Sequence, residues 1–213
     1  MFVSENHTIK DWMKIYTDGS CNPQTVPYAW ASVVDEKGTC LIDINHKSNS
    51  TFPLKIEPKT MFGKKSKETR NIILTKFDDV QHQQNNGAEL VAFIIGLEIC
   101  VKNYDEKKEL KYNTVCCDSD LIVKWWSVKG PSSNNTNISK EKRDLIDYCM
   151  KLRKQFEEKG GLVEKIKGDD NLADMGKHVQ SKKRKRKDEK EEDKKEKEKE
   201  KEKEREMDQI KLF

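Results

Sequence analysis

The sequence predicts an α/β fold, a mixed sheet with helices on its faces. Three observations predict it. Strand-like runs joined by short turns come first, helix-period runs alternating with strands follow, and an early apolar run stops at an acid before a tight turn. That early run is MKIYTDGSC, residues 13–21. Ile15 and Tyr16 favour a strand, and the stop at Asp18 before Gly19 and Ser20 describes a buried strand that delivers a carboxylate to its edge. A carboxylate in such a place must be paired, hydrogen-bonded or bound to metal, because an isolated buried charge is too costly.

Residues 1–11 read as a polar lead-in. After the first strand, CNPQTVP is a turn, YAWASVVD (28–35) a second strand, and TCLIDIN (39–45) a third, so an antiparallel meander is expected. Between 46 and 84 the pattern breaks into a long excursion, either functional or an insertion, with one strand candidate at NIILTK (71–76). The spacing of Leu90, Phe93, Ile94, Leu97 and Val101 predicts a helix over 85–103, with Asn85 or Asn86 as cap and Glu89 in the first turn. Residues 110–117 alternate into a buried strand that delivers Asp118. A short helix, DLIVKWWSV, follows and stops at Gly130-Pro131; its Trp125 and Trp126 are expected in the core. Leu145, Ile146, Cys149, Leu152 and Phe156 mark a helix over 139–159, and Glu141 favours its start. Gly160-Gly161 ends it, residues 162–167 form a final strand, and a last helix holds Asp174 in its first turns. Asp169 and Asp170 cap that helix or stand behind a metal site.

Four acids thus come from four elements: Asp18, Glu89 in NNGAEL, Asp118 in VCCDSD and Asp174 in NLADMG. Together they predict one divalent-metal site.

Composition bounds the rest. In 213 residues, charged side chains reach 38% and hydrophobic ones 34%, and the skew lies at the C-terminal end. Residues 181–213 carry 15 Lys/Arg against 12 Asp/Glu, leaving 27 against 26 in residues 1–180, so the folding part is near neutral and its overall charge selects no partner. The six cysteines have no CxxC or Cys/His ligand spacing, which speaks against zinc, and buried reduced thiols are expected. The opening MFVSENHTIKDW lacks an apolar core for export, and the run 90–101 is too short to span a bilayer. An intracellular protein, cytoplasmic or nuclear, is expected, as is a monomer without membrane contact.

YTDGSCNP, NNGAEL, the strand ending in DSD, and NLAD, in that order and on those elements, resemble the type 1 ribonuclease H family over residues 12–180. The resemblance implies a ribonuclease H-like, five-stranded mixed sheet and an endonuclease that cuts the RNA strand of an RNA–DNA hybrid with two Mg²⁺, or Mn²⁺, ions. By position, Asp18 would bridge both metals, Glu89 and Asp118 would hold one, and Asp174 the other. Cys21, Asn22, Asn85, Asn86 and Ser119 would touch substrate near the ribose 2′-hydroxyl, the group that separates RNA from DNA. Asp120 stands where a glutamine often does. Two metals suit the chemistry, since they clamp both oxygens of an in-line displacement, and carboxylates are the ligands that magnesium prefers. The chain departs from the family in two places: the loop GDDNLAD has no histidine, and no basic protrusion follows the Asp118 helix. Two rival functions stay open, another nuclease of this fold acting on DNA or junctions and a non-catalytic hybrid-binding module.

Beyond residue 180 the organisation changes. KKRKRK (182–187) reads as a phosphate-neutralising cluster or a nuclear-import signal. Residues 188–208 are a Lys/Glu spacer, net −4, expected to be solvated and partly helical. The chain ends on QIKLF (209–213), which resembles the glutamine-to-Leu-Phe peptide that docks bacterial replication proteins on a sliding clamp. Gln209, Leu212 and Phe213 would make that contact.

Overall fold

The computed structural model describes residues 13–21, 29–48, 55–62, 67–75, 81–132 and 138–174. The chain divides into two compact units, Met1–Asp174 and Met175–Phe213, and every described residue belongs to the first. Asn22, the basic cluster, the spacer and the C-terminal peptide therefore lie outside the described residues, as do most residues of the expected last helix.

Six strands form one mixed sheet: β1 (Met13–Cys21), β2 (Ala29–Asp35), β3 (Lys55–Phe62), β4 (Lys67–Thr75), β5 (Tyr112–Cys117) and β6 (Leu162–Lys165), in the order β3-β4-β2-β1-β5-β6. The first four pair antiparallel, while β5 and β6 run parallel to β1. A parallel neighbour requires a long crossover. Helix α1 (Gln81–Lys107) lies on the path into β5, and α3 (Lys140–Glu158) on the path into β6. The α/β class predicted from the pattern is the class observed.

Apolar spacing explains the packing. Leu90, Phe93, Ile94, Ile95 and Leu97 of α1 join Ile15, Val33 and Val115 of the sheet in one core. Gly96 permits close contact there, since a Cβ on it would stand 2.8 Å from Thr17 Cγ2. On α3, Leu145, Ile146, Cys149, Leu152 and Phe156 are buried as their spacing requires. Ser139 caps α3, its Oγ accepting from the Lys142 N–H at 3.3 Å.

Five expectations need correction. Residues 39–45 are not a strand; only Cys40 bridges, to Val34. The outer edge of β2 is shared instead. Ala29, Trp30 and Ala31 pair with β4, and the returning segment reaches only Val33 and Val34 before Asp43 turns it away, its Oδ1 accepting from the Asn45 N–H at 2.7 Å. The sheet has six strands rather than five because the 46–84 excursion folds as the β3–β4 hairpin. Pro58 sits in the edge strand β3, where a missing N–H costs least. Helix α1 begins at Gln81, so Asn85 and Asn86 lie inside it rather than capping it, and Glu89 lies beyond the first turn. Strand β6 stops at Lys165, before the expected 167. Finally, Trp126 is buried but Trp125 is 53% exposed. The segment Leu121–Trp126 is a π-helix running into α2 (Ser127–Lys129), and its wider turn sends neighbouring side chains to different sides. Lys129 covers the Trp125 ring at 4.9 Å from its centroid.

Candidate active site

The site begins with a register. Thr17 of β1 lies beside Cys117, the last residue of the parallel strand β5, so Asp118 leaves the sheet next to Asp18; β1 itself does not turn at Gly19 as expected but runs on to Cys21, because β2 pairs with it that far. Gly19 then lets α1 come close: a Cβ there would stand 2.1 Å from the Glu89 backbone nitrogen and 2.2 Å from the Ala88 carbonyl carbon. No side chain fits that gap. Glycine at this position is what sets Glu89 against the end of β1.

The fourth acid arrives through β6. The Ile166 N–H donates to the Cys117 carbonyl at 3.1 Å, and the chain turns through the 3₁₀ segment Gly168–Asp170. Gly168 passes close to the third acid, since a Cβ on it would lie 3.1 Å from Asp118 Oδ2. Asn171 is fully buried and ties the parts together. Its amide donates to the Thr17 carbonyl at 2.9 Å and to Asp118 Oδ1 at 3.1 Å, while its Oδ1 accepts from the Ala173 N–H at 3.1 Å. Asp174 follows at once, 5% exposed, its N–H donating to the Asn171 carbonyl at 3.3 Å. The Asp169 and Asp170 capping expectation ends here as well, since both belong to the 3₁₀ turn itself.

Asp18 and Glu89 each feel the charge of neighbouring acids. Asp18 is 8% exposed. Burial first, and then the charges of Asp118, Asp174 and Glu89, hold its carboxyl well above the ordinary range, opposed by a hydrogen bond from the Gly19 N–H. Burial also raises Glu89, to about 7; a hydrogen bond from Ser119 opposes that rise, Asp118 adds to it, and Lys165 lowers it. Asn85 donates to Glu89 Oε1 at 3.4 Å. Ser119 and Asn85, expected at the substrate, thus both hold Glu89. Asn86 is half-buried on α1, and only the backbone of Cys21, the last residue of β1, is described.

Four carboxylates and no thiolate form a hard-cation donor set. Burial pushes the Cys116 and Cys117 thiols up to about 12, leaving them protonated beside it. Yet among the described residues no three Asp, Glu, His or Cys side chains stand placed to hold a metal ion. The two observations concern different ranges: charges act on one another across the site, whereas ligation needs oxygens drawn to about 2 Å of one point. Asn171 holds Asp118 and Ser119 holds Glu89, and the acids act on one another by charge without converging on one point. The donor chemistry fits a divalent cation.

Sequence reasoning missed Asn171 and Lys165. Asn171 was legible inside NLAD, but nothing local announces that it bridges β1 and Asp118. A cavity of about 600 Å³ lies elsewhere, lined by His46, Glu98, Val101, Tyr148 and their neighbours. Its floor is structural: Glu98 accepts from Ser48 and Tyr148 at 2.7 Å each and meets His46 Nε2 at 3.2 Å.

No protein-family model matches the chain, and no curated protein matches it in sequence. Among solved structures, the chain is similar to the RNase H1 of the halophilic archaeon Halobacterium salinarum NRC-1. The identity is 16%, the alignment covers 76% of this chain and 89% of that one, and the TM-score is 0.38. No helix among the described residues is long and apolar enough to cross a membrane.

Proposed function

We propose that this protein is a metal-dependent endoribonuclease of the ribonuclease H type, hydrolysing the RNA strand of RNA–DNA hybrids. One observation carries the reading: Asp18, buried in β1, feels the charges of Asp118, Asp174 and Glu89, which come from three other parts of the chain. A folding chain gains nothing from such a cluster, because each neighbour makes ionisation harder. Magnesium or manganese would be held by Asp18, Glu89, Asp118 and Asp174, and when bound would activate water and stabilise the leaving 3′-oxygen. The chain's own residues prepare the site. Asn171 orients Asp118, Ser119 and Asn85 orient Glu89, and Gly19 allows the helix to approach. The 2′-hydroxyl would be read at the β1 turn, by Cys21 and Asn22, and by Asn86 at the glutamate helix.

The partner reading follows from the tail. The basic run 182–187 supplies nucleic-acid affinity or nuclear import, the peptide Gln209, Leu212 and Phe213 docks on a sliding clamp, and the enzyme works inside the cell as a monomer. A pull-down in which deleting 209–213 leaves clamp capture unchanged removes the docking claim.

The deciding experiment is cleavage of a labelled RNA–DNA hybrid by the full chain in Mg²⁺ and in Mn²⁺. Asp118→Asn runs beside it, with duplex RNA and duplex DNA as controls. RNA-strand cuts by wild type alone, on the hybrid alone, are expected. Cuts in duplex DNA would replace this reading with that of a DNA nuclease, and hybrid binding without cutting in either metal with that of a hybrid-binding module.

A further inference from the structure

The acids cannot attract a polyanion by themselves. Four carboxylates repel phosphate, so a substrate strand needs a cation beside them. The described residues place one on the Glu89–Asp118 side. Lys165 ends β6 directly opposite Cys117, the residue before Asp118. The Ile166 N–H to Cys117 carbonyl bond carries that register one residue further, so the lysine backbone is fixed against the strand that delivers the acid.

Its side chain is half-buried, and its Nζ donates to the Ile166 carbonyl at 2.8 Å. That bond uses one of three donors and leaves the charge uncompensated, because a carbonyl is neutral. The charge is felt at Glu89 and at Asp120. Asp120 is already engaged by Lys124 at 2.7 Å. Among the described residues no carboxylate lies within ion-pair distance of Lys165. The result is a positioned ammonium with two donors to spare, on a rigid strand beside the acid cluster.

We propose that Lys165 is a phosphate-binding residue of this site, holding a backbone phosphate of the bound strand on the Glu89–Asp118 side. The proposal rests on the nucleic-acid reading above and adds a residue to it. Lysine binds phosphate as a point charge, so arginine at 165 keeps the function and glutamine does not.

The test is equilibrium binding of the full chain to a labelled RNA–DNA hybrid in EDTA, where no cutting interferes, across a series of salt concentrations. Wild type, Lys165→Gln and Lys165→Arg are compared, with thermal melting of each. One phosphate contact contributes about 0.9 to the slope of log affinity against log salt. The slope of Lys165→Gln is therefore expected to be shallower by about 1, with Lys165→Arg near wild type and all three melting alike. Wild type bound with the Lys165→Gln slope unchanged overturns this proposal alone. Equal loss in both variants with lowered melting assigns Lys165 a structural role and also overturns it. Where the hybrid binds only with Ca²⁺ in place of EDTA, the same comparison is read there; wild type unbound in both at every salt concentration overturns the nuclease reading and this proposal together.

Discussion

Glu89→Gln separates the cost of the acid cluster from the rest of the fold. Glutamine keeps the shape of the side chain and cannot ionise. In the wild type the Glu89 carboxyl titrates at about 7 in the folded chain against an ordinary 4.5. Between those values the unfolded chain has released its proton while the folded chain still holds it, so the folded state binds more protons. Stability contributed by this group is complete below 4.5, falls as pH rises to about 7, and is level above that. At about 1.4 kcal/mol per pH unit the fall has a ceiling of about 3 kcal/mol, and solvent reaching a half-buried carboxyl lowers it to about 1–2 kcal/mol. Asp18 is shifted in the same direction, and because Glu89 is one of the charges that raise it, the variant relaxes part of that shift too, which adds to the gap. Urea unfolding in EDTA at steps from pH 4.5 to 8 measures the difference. The stability gap between Glu89→Gln and wild type should open with pH in favour of the variant, by about 1–3 kcal/mol at pH 8 relative to pH 4.5. A gap that is constant across the range, or that opens in favour of wild type, refutes the buried-acid reasoning. Adding Mg²⁺ should narrow the gap at pH 8, because a ligand of the ionised site stabilises by about 2.7 kcal/mol at a hundred times its Kd.

The other predictions address the residues that hold the site and the fold around it. Asn171→Leu removes the bonds to Thr17 and Asp118 and should cost about 2 kcal/mol in urea unfolding; RNA cleavage should fall with it. Gly19→Ala puts a methyl group where the Glu89 nitrogen stands, so α1 must shift, at about 3 kcal/mol of stability. Glu98→Ala strands the Ser48, Tyr148 and His46 side chains and should cost about 3 kcal/mol, while the cleavage rate on the hybrid at low temperature stays at the wild-type level. Trp126→Ala should cost about 3–5 kcal/mol as a core deletion. Trp125→Ala, removing an exposed ring and its Lys129 contact, should cost about 1 kcal/mol or less, which thermal melting distinguishes.

What the sequence made legible was what period and punctuation encode. The α1 and α3 stripes, the strand that carries Asp18 and the strand that delivers Asp118 all announce themselves locally, although β1 runs three residues past the acid where its end was expected. The missed third strand has one cause, competition for a sheet edge. The run 39–45 has strand composition, but β4 occupies the half of the β2 edge that it would need. Nothing in TCLIDIN reports what a segment thirty residues later will do. Trp125 and Trp126 are equally apolar as letters, and only the π-helical turn decides which one is buried. Asn85 and Asn86 read as caps because the helix-period residues begin after them, yet α1 starts four residues before Asn85, in a polar stretch with no apolar period. The acids were legible as a set. Asn171 and Lys165 were not, because their significance lies in what β5 and β6 bring beside them.

The location of the cluster follows from topology more than from any one motif. Strand β1 has an antiparallel neighbour on one side and a parallel neighbour on the other. On the parallel side β5 ends at Cys117 beside Thr17, and there Asp118 emerges next to Asp18. Strand β6 repeats the direction, so its exit also lies at that end and returns the chain through Gly168 and Asn171 to Asp174. Open α/β sheets bind ligands at the carboxyl ends of their parallel strands, because the chain leaves the sheet there and presents turns and helix starts. Here that crevice is filled with like charge, and the residues that hold it together are neutral: a glycine against a helix, an asparagine across two strands and a serine on a glutamate. The serine donates to the Glu89 carboxylate and so favours its ionised form; replacing it should push Glu89 further up rather than ease it. For Ser119→Ala this means a stability that falls more steeply between pH 4.5 and 8 than that of wild type, measured by urea unfolding in EDTA. A profile no steeper than the wild-type one would mean that the serine bond does not hold Glu89 in its ionised form.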